Sequence, residues 1–313
     1  MDPHIKKIRD SLFYVFILLL MFLLRMLPRR AAFALMRFLA RVTFRLDARS
    51  RNKTIKHLTM AYGNEKTPQE INELAGKVFL HFFTAAADFI RLPALLKKGI
   101  NSIVTVEGIE HLDRAMSSTK NGIMMLTAHF GNWELLGAWL AQNGYKMRVV
   151  GMPLFDPRLD KILVKTRNKA GYTNIARGSG TREIIRSLRE GYAVGMLIDQ
   201  DINVQSIFVN FYGRPTLTAV GPLLLARKFK VPVVPIFIHL KDDLTYHIEC
   251  KEPLALQYTD DEETDLAVNT QKVSDIYEQV IREHPEQWVW IHKRWKTQPQ
   301  NGQTAGQSSR QEA

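Results

Sequence analysis

Apolar and polar positions divide the chain into stretches with different periods. Residues 11–24, S-L-F-Y-V-F-I-L-L-L-M-F-L-L, are uncharged, and Met26 and Leu27 carry the apolar run past Arg25. That falls short of the roughly 20 residues of a comfortable bilayer span, although Arg25 can snorkel and lengthen it. A cleaved signal peptide is the rival reading, with A-F-A at 32–34 as the cut. Arg25, Arg29 and Arg30 would then lie where translocation disfavours them. By the positive-inside rule the same arginines hold the downstream chain in the cytoplasm. Beyond this run, Arg30, Arg37, Arg41 and Arg45 fall on one side of a helical wheel, with Leu35, Leu39, Val42 and Leu46 roughly opposite. A basic amphipathic helix of this kind suits an anionic lipid surface. A helix packed on the body with a solvated arginine face has the same pattern.

A helical stretch near 68–97 then gives way to apolar runs that alternate with amphipathic segments. G-I-M-M-L-T-A (122–128) predicts a buried strand, and 132–144 a helix closed by Gly144. K-M-R-V-V-G (146–151) reads as a strand, and 181–191 as a helix ending at Gly191. Further strands are expected at 193–199, 206–210 and 231–238, with a helix at 218–229 between the last two. The alternation predicts an α/β fold, a mixed and mostly buried sheet flanked by helices. No internal repeat or Pro/Gly-rich linker divides it. The last residues are polar and expected to be disordered.

Composition narrows the partners. The chain has 313 residues, 46% of them hydrophobic and 24% charged, which makes it globular with room for a large core. Its net charge of +12 calls for an acidic partner: nucleic acid, an anionic membrane or an acidic protein. About +9 of that charge lies before Thr54, beside the apolar run, which favours a membrane. No nucleic-acid partner is expected, because no RNP, zinc-finger or helix-turn-helix signature accompanies the charge. Cys250 is the only cysteine and sits in the strand-like L-T-Y-H-I-E-C (244–250), so it reads as a packed bystander. The nine histidines show no HExxH or comparable spacing, and no metal is expected.

The chemistry concentrates at T-A-H-F-G-N-W-E-L-L-G, residues 127–137. On one continuous helix His129 and Glu134 would stand about 140° apart. The stretch instead straddles a strand–turn–helix junction, where Gly131 permits a sharp turn and Asn132 is a good N-cap. Glu134 in the first helical turn can then face back to the imidazole, fixing its tautomer while it takes a proton from a hydroxyl. The nucleophile would belong to the substrate, since G-S-G at 178–180 is not a GxSxG elbow. The alternative is a helix-capping histidine and a surface glutamate.

Four stretches in this order resemble the lipid A biosynthesis lauroyl/myristoyl acyltransferase family, within the HxxxxD/E lysophospholipid acyltransferase superfamily. They are A-H-F-G-N-W-E (128–134), K-T-R-N-K-A-G (165–171), D-Q-D (199–201) with S-I-F-V-N-F-Y-G-R-P-T after it, and H-P-E-Q-W-V-W-I-H-K-R-W-K-T (284–297). T-Q-P at 297–299 departs slightly from relatives that carry an arginine before the proline. The resemblance implies an acyltransferase-type αβ sandwich in which His129 is the general base and Glu134 its orienting carboxylate. Arg167 and Asp199 match a charged pair at the family's active site. Arg167 would bind phosphate or polarise a thioester oxygen, with Asp199 holding it or forming a structural salt bridge. Asp201 and Gly213 match for loop shape, and Trp288, Trp290 and Trp295 for packing. His292, Lys293 and Arg294 would face lipid phosphates or water. The implied donor is an acyl carrier protein thioester and the acceptor a lipid A precursor, with no cofactor. The implied organisation is a membrane anchor at 1–30, a basic membrane-surface helix at 31–53, an acyltransferase domain at 54–298 and a disordered tail at 299–313. The implied location is the cytoplasmic face of a bacterial inner membrane. A glycerophospholipid, ornithine lipid or glycolipid acceptor is the alternative, and a non-catalytic lipid-binding protein a remoter one.

Overall fold

The computed structural model describes residues 3–176, 180–299 and 308–309; Ser179 of the G-S-G loop and most of the polar tail lie outside them. Four helices come first: α1 (Pro3–Met26), α2 (Arg29–Leu46), α3 (Ala48–Tyr62) and α4 (Pro68–Lys98). Then β1 (Val104–Glu107), α5 (Ile109–Ser117), β2 (Ile123–Thr127), α6 (Trp133–Gln142), β3 (Met147–Gly151), α7 (Pro157–Ala170), β4 (Thr173–Ala176), α8 (Thr181–Arg189) and β5 (Ala193–Leu197) alternate. The chain continues through β6 (Ser206–Phe211), β7 (Arg214–Ala219), α9 (Gly221–Phe229), β8 (Val233–Leu240), β9 (Tyr246–Cys250) and α10 (Glu262–Glu283). Seven strands form one sheet in the order β1-β9-β8-β2-β5-β3-β4. Its pairs are parallel except for antiparallel β8–β9, so the expected mixed α/β sheet is the fold.

Every residue of β2 is buried, which is why it reads as an unbroken apolar run. Met124 and Leu126 enter the core on one face of the sheet, Ile123 and Met125 the core on the other. α4 starts at a capping box in which Thr67 and Glu70 each bond the other's backbone N–H, with Pro68 at the first helical position. By length and composition α4 could cross a bilayer, but 56% of its apolar window is buried inside the protein, as in a core helix.

Two expectations are corrected here. Residues 206–219 do not join the main sheet or start a helix. β6 and β7 form a separate hairpin, closed by Tyr212 (φ 51°) and Gly213 (φ 68°), and α9 begins only at Gly221. Two central residues at positive φ twist a two-residue loop to match its strands. Residues 31–53 are not one continuous helix: the chain breaks at Asp47, whose carboxylate accepts the Ser50 N–H at 3.0 Å and starts α3. The apolar stripe of α2 (Ala32, Phe33, Met36 and Ala40) is buried in the protein, and α4 packs closely on α2.

α1 lies along the body. Leu24 is buried, and the Arg91 guanidinium donates to the carbonyls of Leu24 and Leu27 at its C-terminal end, where the helix dipole favours a cation. Arg25, expected to snorkel, donates to the Ile90 carbonyl at 3.1 Å. Nearer the N-terminus, Arg158 donates to the Asp10 carbonyl and stacks over Tyr14. Leu12, Phe16, Leu19, Phe22 and Met26 remain exposed.

Candidate active site

The register of two neighbouring strands sets the site. β2 and β5 run parallel with Thr127 level with Leu197, so His129 and Asp199 stand side by side, each two residues beyond its strand. Asp199 Oδ1 lies 2.8 Å from His129 Nδ1, and its Oδ2 accepts both the His129 backbone N–H and the Trp288 indole N–H at 2.8 Å. Burial alone would raise the pKa of this carboxylate. The imidazole beside it and the bonds from His129 and Trp288 outweigh that and hold it well below the usual carboxylate range. An ionised Asp199 keeps the proton on Nδ1 and leaves Nε2 as an acceptor. Gln200 Nε2 lies 3.1 Å from that nitrogen and 2.8 Å from His292 Nε2.

Local geometry fixes the loop between β2 and α6. Gly131 has φ 60°, and a Cβ there would stand 1.6 Å from the Ile238 carbonyl oxygen, so only glycine fits. Its N–H donates to the Gln287 carbonyl at 2.9 Å, and the Val289 N–H donates to the His129 carbonyl at 3.1 Å. Asn132 caps α6 through its Oδ1, while its Nδ2 donates to Ala85 O and Tyr246 Oη.

Glu134, predicted to orient the imidazole, binds elsewhere. Its Oε2 accepts from Arg167 Nε at 2.9 Å and from the Tyr172 hydroxyl at 2.8 Å, and its Oε1 accepts from Arg167 Nη2 at 2.5 Å. Arg167 Nη1 donates to Asn174 Oδ1 at 2.6 Å. Burial opposes the charge on Arg167, but the bonds and charge of Glu134 prevail and raise its pKa. The expected partnerships are therefore exchanged: Asp199 holds His129 rather than Arg167, and Glu134 holds Arg167 rather than His129. A bidentate guanidinium is a strong partner for Glu134, and Nδ1 is already taken.

The C-terminal motif supports the site from behind. Trp288, Trp290 and Trp295 pack with Phe211 and Tyr212 from the β6–β7 hairpin, and the Trp288 and Trp290 rings meet edge-on at 4.7 Å. Packing is thus only part of the role of Trp288, whose N–H anchors Asp199. Arg294 faces neither lipid nor water. It is buried, donating to the Leu217 carbonyl at 2.9 Å and Thr218 Oγ1 at 2.7 Å. Lys293 is exposed, while His292 sits in the site. Asp201 shapes its loop by accepting the Thr297 N–H at 2.6 Å, and Gly213 closes the hairpin. Cys250 is buried, which pushes its thiol up to about 12. Sequence reasoning gave no role to Gln200, Tyr172 or Asn174. Gln200 lies inside the D-Q-D motif, just past a predicted strand, and only that strand's position beside β2 marks it as a site residue.

A cavity of about 640 Å³ opens in front of His129, with Glu134, Arg167 and Gln200 also on its wall. It exists because two strands part. β3 pairs with β5 only from Met147 to Val149, after which β3 stays with β4 and β5 with β2. The gap is lined by apolar side chains, among them Met125, Val149, Leu163, Ile184, Met196 and Leu225. Its size and lining are those of a small-molecule or lipid site.

The site is thus a strand-end histidine of an α/β sandwich, facing an apolar cavity. Residues 1–297 match the model of the bacterial lipid A biosynthesis acyltransferases, and the chain belongs to that family. It is 25% identical to lipid A biosynthesis acyltransferase 2 of Shigella flexneri over 264 residues, 82% of this chain and 81% of that protein. It is 27% identical to the lipid A biosynthesis myristoyltransferase of Escherichia coli over 263 residues, 83% and 79% of the two chains. It is also 25% identical to the phosphatidylinositol mannoside acyltransferase of Mycobacterium tuberculosis over 199 residues, 61% of this chain and 59% of that protein.

Proposed function

We propose that the protein transfers a fatty acyl group from an acyl carrier protein thioester to a hydroxyl of a lipid A precursor, forming an acyloxyacyl ester. One observation carries this reading: a histidine whose Nδ1 is held by a buried carboxylate, beside an apolar cavity that accommodates an acyl chain. The acceptor hydroxyl gives its proton to Nε2 as it attacks the thioester carbon, and Asp199 stabilises the imidazolium. The leaving thiolate takes that proton, so no acyl-enzyme forms. The Glu134–Arg167 pair, fixed by Tyr172 and Asn174, supports the cavity wall.

Residues 1–30 serve as the membrane anchor in this reading, and residues 54–298 form the catalytic body on the cytoplasmic face of the inner membrane. The exposed apolar side chains of α1 and the exposed Arg30, Arg41 and Arg45 of the neighbouring helix suit an anionic bilayer. The similarity to a phosphatidylinositol mannoside acyltransferase favours a glycolipid acceptor as the second reading.

The test is transfer from labelled acyl carrier protein and acyl coenzyme A thioesters, in detergent-lipid micelles, to a lipid A precursor and to a phosphatidylinositol mannoside. The expected product is acylated lipid A precursor, made with the carrier-protein donor. His129→Ala should lower turnover by about 10²–10⁴-fold with the fold intact by circular dichroism. Near-normal turnover by that variant would remove the proposed base, and a preference for the mannoside would install the second reading.

A further inference from the structure

Acyl transfer through a tetrahedral intermediate needs a donor for the oxygen that becomes negative. Several candidate donors near His129 are already engaged. Three of the five N–H groups of Arg167 go to Glu134 and Asn174. The backbone N–H groups of His129, Gly131 and Leu135 donate to Asp199, Gln287 and Asn132. Gln200 differs. Its carboxamide nitrogen lies beside the His129 ring, 3.1 Å from Nε2 and 3.2 Å from Nδ1, and 2.8 Å from His292 Nε2, on the cavity wall.

The amide orientation follows from the network. The Asp199 carboxylate claims the proton on Nδ1, so Nε2 of His129 can only accept, and Gln200 must turn its NH2 rather than its oxygen toward it. His292 is held neutral by burial and by the neighbouring His129, which pull it down to about 4, so it accepts the second N–H. The donor that satisfies the base in the free protein is therefore the group an incoming hydroxyl must displace.

We propose that Gln200 is the oxyanion donor of this site and that His292 is the positioning residue that holds it. The proposal rests on the acyl-transfer reading above. The acceptor hydroxyl replaces Gln200 on Nε2, and the N–H set free turns to the thioester carbonyl oxygen while His292 retains the other. The hydroxyl proton passes to Nε2 as the new C–O bond forms, and the carbonyl electron pair moves onto the oxygen bonded by Gln200. Collapse restores the carbonyl and breaks the C–S bond, and the thiolate takes the proton back from Nε2. Atoms and electrons balance without a further reactant.

The test compares a lauroyl thioester with the matching dithioester, whose sulfur is a weak hydrogen-bond acceptor, at saturating lipid A precursor. The wild-type protein should strongly prefer the oxygen substrate. Gln200→Ala should lower kcat on it by about 10²–10³-fold, with KM little changed, and should erase most of the preference. His292→Ala should erase part of it, and His292→Gln, which keeps an acceptor at that place, should restore it. If Gln200→Ala does not fold, Gln200→Glu removes the donor at nearly the same volume and reads the same ratio. An active, folded Gln200 variant with an unchanged oxygen-to-sulfur ratio overturns the proposal alone. Wild-type inactivity toward every acyl thioester overturns the acyl-transfer reading with it.

Discussion

At Asp199 three N–H groups converge on one buried carboxylate, and one of them belongs to the imidazole that the site uses. Asp199→Asn keeps the shape and loses the charge that fixes the tautomer. Turnover is expected to fall by about 10³–10⁴-fold, with some loss of melting temperature because three N–H groups lose their anion. Glu134→Gln should act first on the fold. It leaves the nearly buried Arg167 without its counter-charge, a loss on the order of 3–5 kcal/mol for a buried pair. A clear drop in melting temperature is therefore expected, accompanying whatever activity is lost. Measuring both variants by calorimetry and by turnover separates the two carboxylates; an Asp199→Asn protein with wild-type turnover would unseat Asp199. The sequence offered all four charged residues but not this division of labour. His129 and Glu134 are neighbours in the chain, whereas the pairs that form are 70 and 33 residues apart.

Among the elements, the β2–α6 connection is the most constrained. Gly131→Ala must push a Cβ into the Ile238 carbonyl at a φ that side chains avoid, and is expected to cost more than about 4 kcal/mol or to prevent folding. Gly76 in α4 is the control. A Cβ there meets nothing within 4 Å, and Gly76→Ala should stabilise the helix by about 0.5–1 kcal/mol. Chemical denaturation of both proteins checks the pair; a neutral Gly131→Ala would contradict the geometry. The strand, glycine and cap of this junction were legible because each is local chemistry. The β6–β7 hairpin was not: Gly213 offers a turn, but Thr218 and Ala219 run directly into the apolar stretch of α9 and read as its start, while pairing with Ile207 and Ser206 makes them a strand.

Over the whole molecule, burial holds His81, His239 and His292 neutral, each pulled from 6.5 to about 4. Below pH 6.5 the unfolded chain takes up protons that the folded protein refuses, so stability falls as the pH drops from about 6.5 toward 4. Asp199, with its pKa depressed in the fold, adds stability above about pH 4 that is lost on further acidification. Melting temperature followed against pH should decline over the first window, less steeply in His239→Gln; a flat profile would show these rings to be more hydrated than their packing implies. The same scale separates what each level of description decides. Apolar periodicity, caps, glycines and the basic N-terminal end are properties of short segments, so the sequence by itself determined the α/β alternation, the junction at His129 and the charge asymmetry. Which carboxylate meets the imidazole depends on β5 lying beside β2 in register, and the cavity depends on β3 leaving β5 after Val149. Those are choices among distant partners, made by the packing of the whole sheet, and only the tertiary structure could make them.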